Sequence, residues 1–87
     1  MKIKDGFILR EVAGNFIVVA VGEAAKAFNG VINLNGTGAF MWRVLEKGCD
    51  KEGLKQALLN EYNVSEEIAD RDAEKFITKL TEAGLIK

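Results

Sequence analysis

Apolar positions along these 87 residues fall into two rhythms, a strand-like one before residue 35 and a helical one after it. Residues 7–12 and 16–21 are dense in β-branched and aromatic side chains, and Ala13-Gly14-Asn15 separates them. Gly and Asn accept the positive φ values of tight turns, so the segment predicts a β-hairpin. The second run is apolar at nearly every position, which fits the centre of a small sheet. Residues 22–29 read as a connector and residues 30–34 as a third strand. Alternation there puts Ile32 and Leu34 on one face and Val31 and Asn33 on the other. Its shortness predicts an edge position.

From residue 37 the spacing changes. At about 100° per residue, Phe40, Met41, Trp42, Val44 and Leu45 fill one continuous arc of a helix over 37–47, leaving Arg43, Glu46 and Lys47 on the remainder. Gly48 suits the left-handed position that ends such a helix. Because the arc covers more than half the circumference, the helix needs cover on two sides, a sheet on one and further helices on the other. Asp50 is a cap for a second helix with Leu54, Ala57, Leu58 and Tyr62 as its buried stripe, closed by Asn63. Ser65 caps a third, with Glu66 and Glu67 in the first turn where the helix dipole favours acids. Its apolar arc is Ile68, Ala69, Ala73, Phe76, Ile77, Leu80 and Ala83, and Gly84 stops it before a short tail. The expectation is one α+β domain over 1–87: a small three-stranded antiparallel sheet followed by three helices, winged helix-turn-helix-like.

Composition narrows the chemistry. Twelve basic and 13 acidic residues give a net charge of −1, too balanced to draw the chain to nucleic acid or an anionic membrane. There is no histidine and one cysteine, which leaves no expected metal site, cofactor or intrachain disulfide. Without histidine no nucleophile–base pair of the usual kind exists, no glycine-rich loop has phosphate-binding form, and the carboxylates are scattered; an enzyme is not expected. The N-terminal residues turn polar before a signal peptide could form, and the apolar run at 16–21 is far below a membrane span, so a cytoplasmic protein is expected.

Two features could bind a partner. Residues 31–34 carry no charge and no proline, the usual devices that blunt an edge strand, so this edge suits a visiting strand. The alternatives are an edge covered by the 22–29 connector or one paired in a homodimer. On the last helix Arg71, Lys75 and Lys79 recur every four residues beside Asp72 and Phe76. That line could read an acidic peptide while apolar side chains meet Phe76 and Leu80, or it is a solvated face with pairs such as Glu67 to Arg71. Trp42 reads as core or half-buried packing rather than a stacking platform. Cys49 reads as structural, its pKa raised by Asp50.

Leu34, Asn35, Thr37, Gly38 and Ala39, followed by Trp42 and a closing Gly48, resemble the PqqD family, named for pyrroloquinoline quinone synthesis protein D. The likeness covers the whole chain. Gly36 departs from it, standing where a larger residue is commoner, which would loosen the start of that helix. The resemblance implies a RiPP recognition element, a peptide chaperone that binds the leader of a ribosomally made precursor and presents it to a modifying enzyme, often a radical SAM enzyme. It implies that the leader adds as a strand beside the third strand, in a groove closed by the last helix. The residues expected at that site are Val31, Ile32, Asn33, Leu34, Asp72, Lys75, Phe76, Lys79 and Leu80, and Ile32→Pro is expected to weaken binding more than Lys51→Ala. The expected partners are the precursor peptide and the enzyme, without nucleic acid or membrane. A winged-helix nucleic-acid-binding regulator is the alternative, disfavoured by Glu66, Glu67, Asp70, Asp72 and Glu74 on the helix that would enter the groove.

Overall fold

In the computed structural model, which describes residues 1–28 and 30–87, strands β1 (Phe7–Val12), β2 (Asn15–Ala20) and β3 (Ile32–Leu34) form one antiparallel sheet in the order β1-β2-β3. A short helix α1 (Ala24–Ala27) lies between β2 and β3, and α2 (Gly36–Lys47), α3 (Lys51–Glu61) and α4 (Glu66–Glu82) follow. The α+β order expected from the sequence is present, with α1 added inside the connector. Asn29, the connector's last residue, lies outside the described residues.

The hairpin turn is one residue shorter than the sequence implies. Ala13 and Gly14, at φ +52° and +80°, form a two-residue loop, and Asn15 already pairs with Val12. Two positive φ values match the right-handed twist of the flanking strands, so the register overrides the poor fit of Ala13 to that region.

Bonded and unbonded pairs alternate along an antiparallel ladder. The Val21 amide donates to the Gly6 carbonyl at 2.7 Å, which makes that pair a bonded one, and the Val12–Asn15 pair next to the two-residue loop has the same parity. Odd-numbered residues of β2 therefore turn their backbone groups to β1, and Phe16, Val18 and Ala20 turn theirs to β3. Across β3 the partners are Phe16 with Leu34, Ile17 with Asn33 and Val18 with Ile32. Ile32 and Leu34 thus spend their amides and carbonyls on β2, while those of Asn33 point away from the sheet.

Helix starts follow from their caps. Asn35 accepts from the Gly38 amide at 2.7 Å, Asp50 from that of Gly53 at 2.8 Å and Ser65 from that of Ile68 at 3.2 Å. The Asn35 cap ties the turn in which Gly36 sits. Gly48 ends α2 at φ +91° and ψ 127°, positive in φ as expected but outside the left-handed helical well. Tyr62, not Asn63, caps the end of α3.

The core lies between the inward face of the sheet and the three long helices. Val18, Trp42, Leu45, Leu54, Leu80 and Leu85 are its largest fully buried side chains, each contributing roughly 1.5–3 kcal/mol by leaving water. Trp42 is fully buried, the core packing of the two expected, and its indole N–H has no hydrogen-bond partner among the described residues. On α4 the buried stripe is Ala69, Ala73, Phe76 and Leu80; Ile68 and Ala83, assigned to it from the sequence, are exposed. The chain's two ends meet: Ile3 bridges Ile86, the Lys4 amide donates to the Leu85 carbonyl and the Lys87 amide to that of Lys2, both at 2.8 Å. No helix among the described residues is long and apolar enough to cross a membrane.

Candidate functional site

The edge of β3 is open among the described residues, because no further backbone or side-chain hydrogen bond engages Asn33 there. The described part of the connector does not cover it. Helix α1 packs at the far side of the sheet, where Phe28 meets Phe7 edge-on with ring centroids 5.4 Å apart and Ala24 sits against Gly6.

Beside this edge runs a groove of about 380 Å³. One wall is the end of β3 and the start of α2, formed by Asn33, Leu34, Asn35, Thr37, Gly38 and Met41; the other is α4, formed by Asp72, Lys75, Phe76 and Lys79. Its apolar floor of Leu34, Met41 and Phe76 continues into the core. The start of α2 comes close to the strand because position 38 is glycine. A Cβ there would stand 3.2 Å from the Asn35 side-chain oxygen and 3.3 Å from Leu34 Cβ, tighter than ordinary contact.

Six residues expected at the site line this groove together: Asn33, Leu34, Asp72, Lys75, Phe76 and Lys79. The other three do not. Val31 is 53% exposed and precedes the strand, Ile32 points into the core, and Leu80 has no exposed surface. Asn35, Thr37, Gly38 and Met41 were not assigned to the site from the sequence. Their signal is position: the cap and first turns of a helix that directly follows an edge strand must border that edge.

Charge on α4 is sorted by flank. Glu66 pairs with Lys55 at 2.9 Å, and Asp70 and Glu74 reach Lys51 at 3.5 and 3.6 Å, so these acids face α3. Among the described residues Arg71, Lys75 and Lys79 have no carboxylate within ion-pair distance, and the Glu67–Arg71 pair is not formed. Lys75 and Lys79 border the groove, whereas Arg71 lies on the adjoining outer face of α4 with Thr78 and Glu82.

The described residues contain no cluster of His, Cys, Asp or Glu able to hold a metal ion. Cys49 is far from the groove at the start of α3, and burial, assisted by Asp50 and opposed by the N-terminal ammonium, raises its pKa. The arrangement offers backbone hydrogen bonds, apolar contact and two ammonium groups to an extended chain.

These features define a small α+β domain whose open sheet edge and last helix border a groove of about 380 Å³. Two solved structures share its fold. TbiB1, solved in complex with the TbiA(beta) leader peptide, superposes with a TM-score of 0.77 at 23% identity, covering 100% of this chain and 95% of that one. Lasso peptide synthetase B1, complexed with the leader peptide, gives 0.73 at 21% identity over 97% and 93%. No curated protein sequence matches. The chain belongs to the PqqD family: residues 8–86 match the family described as coenzyme PQQ synthesis protein D.

Proposed function

We propose that this chain is a RiPP recognition element: it binds the leader segment of a ribosomally made precursor as an added strand on β3 and presents the peptide to a modifying enzyme of the radical SAM class. The observation that carries this reading is the outward amide and carbonyl of Asn33, facing a groove walled by α4. Family membership and the leader peptides held by two proteins of the same fold support it. The role is binding without catalysis, exercised in the cytoplasm, with no cofactor of its own. A homodimer joined through the same edge would compete with the leader.

The test is a titration of isotope-labelled protein with the leader half of a precursor encoded beside it. Backbone amides of residues 31–34 and of α4 are expected to shift, and the Asn33 amide to gain exchange protection. Saturating leader that left those amides unmoved would remove the reading.

A further inference from the structure

Resting on that reading, the parity of the sheet and the charge on α4 together constrain what sequence the groove accepts. The constraint has three parts.

Only Asn33 within β3 directs its backbone outward, so a guest strand has one central bonding position. Antiparallel pairing places the N–H and C=O of a single guest residue on Asn33 and extends the existing sheet in its own sense; it is also the more stable ladder per residue. The guest residue opposite Asn33 then shares the face of the Asn33 side chain, which is exposed. Its two neighbours lie opposite Ile32 and Leu34 and share their core-side face, on which Leu34 lines the groove.

The groove is not uniform. Leu34, Met41 and Phe76 offer apolar surface, with Met41 and Phe76 already 5% and 6% exposed, so only a shallow contact remains to be filled. Lys75 and Lys79 bring two ammonium groups without carboxylate partners among the described residues, against the single carboxylate of Asp72. An acidic guest side chain here meets uncommitted cations, whereas a basic one would have to compete with them for Asp72.

We infer that the groove accepts an acidic extended peptide in one frame: hydrogen-bonded to Asn33 through a residue whose side chain is free to vary, and anchored by the two flanking residues, one apolar and one acidic. The acidic anchor lies at Lys75 and Lys79, and the apolar one on Leu34, Met41 and Phe76. Antiparallel pairing brings the guest residue opposite Leu34 first, so the recognised pattern is an apolar residue followed two positions later by an acidic one, with an unrestricted residue between.

Panning a display library of randomised peptides of about eight residues against the intact chain tests this. Enriched sequences are expected to carry that spacing, and a fluorescein-labelled enriched peptide to bind more weakly as salt rises. The double variant Lys75→Glu, Lys79→Glu is expected to weaken binding about tenfold or more, and Asp72→Asn to strengthen it. N-methylation of the peptide residue between the anchors is expected to cost about tenfold, and N-methylation of either anchor much less. Because methylation changes only the peptide, this arm is independent of the protein's folding.

Neutral or basic enriched sequences, an unaltered affinity after charge reversal, or methylation sensitivity at the anchors instead of between them would each overturn the inference. If enriched peptides shift the amides of residues 31–34 without this pattern, the inference falls while peptide recognition stands. If no precursor leader or library peptide shifts them, peptide recognition falls too.

Discussion

Asn35 joins fold and groove in one side chain. Its oxygen caps α2 through the Gly38 amide at 2.7 Å, and the same residue lines the groove. Asn35→Ala is expected to cost about 1 kcal/mol, read as a lower urea midpoint at unchanged slope. Asp50 and Ser65 were legible as caps because each stands just before a helical pattern; Asn35 was legible only as part of a motif, because three glycines and a short strand surround it. Ala13 was not legible at all, since its positive φ is imposed by strand register and not by its own preference. Cys49 supplies a second prediction. Burial and Asp50 hold its thiol pKa above the ordinary value, outweighing the N-terminal ammonium that lowers it. At neutral pH its thiolate fraction is therefore below that of a free cysteine peptide, and the thiolate is the nucleophile. Iodoacetamide labelling followed by mass spectrometry is expected to be slower than for the peptide at neutral pH and to climb as the medium turns alkaline.

At the scale of elements, β3 decides most. The sequence showed an uncharged edge strand with Ile32 and Leu34 on one face, and burial along the strand follows that alternation. What it could not show is which backbone groups face outward, because parity is inherited through β2 from the loop at Ala13 and Gly14. This moves the informative proline from Ile32 to Asn33. Ile32→Pro removes a donor committed to β2 and strands the Val18 carbonyl, a loss of about 1–3 kcal/mol in stability. Asn33→Pro removes the outward donor, a place where an edge strand tolerates proline. It is expected to stay within about 1 kcal/mol of wild-type stability while weakening leader binding. Thermal unfolding beside a leader titration separates the two, and Asn33→Pro binding the leader normally would contradict strand addition at β3. The flank of α4 that faces β3 was likewise invisible in the sequence, where two basic-acidic flanks have the same spacing. Lys51 and Lys55 on α3 resolve it by engaging Glu66, Asp70 and Glu74, which leaves Lys75 and Lys79 for the groove.

The whole molecule is closed by a contact between its ends that no periodicity announces, since three residues on each side are too few to show one. Ile3 is 6% exposed and Leu85 fully buried, and two backbone hydrogen bonds of 2.8 Å clasp the segments around them. The Leu85 amide also donates to the Leu80 carbonyl at 2.9 Å, so the clasp holds the C-terminal end of α4, next to Lys79 at the limit of the groove wall. Leu85→Ala removes a fully buried side chain and is expected to cost about 2–5 kcal/mol. A domain of this size has only about 5–15 kcal/mol in total, and each kcal/mol moves the midpoint by about 4–8 °C, so the loss is expected to be large in a melting curve. The core is one connected cluster from Ile3 and Val18 through Trp42 to Phe76 and Leu80, so unfolding is expected to stay cooperative, with fluorescence of Trp42 and far-ultraviolet dichroism changing together. If instead the dichroism signal lost amplitude well before Trp42 responded, the clasp and the end of α4 would form a separately melting unit. The groove wall would then lose its support beyond Lys79 before the core opened.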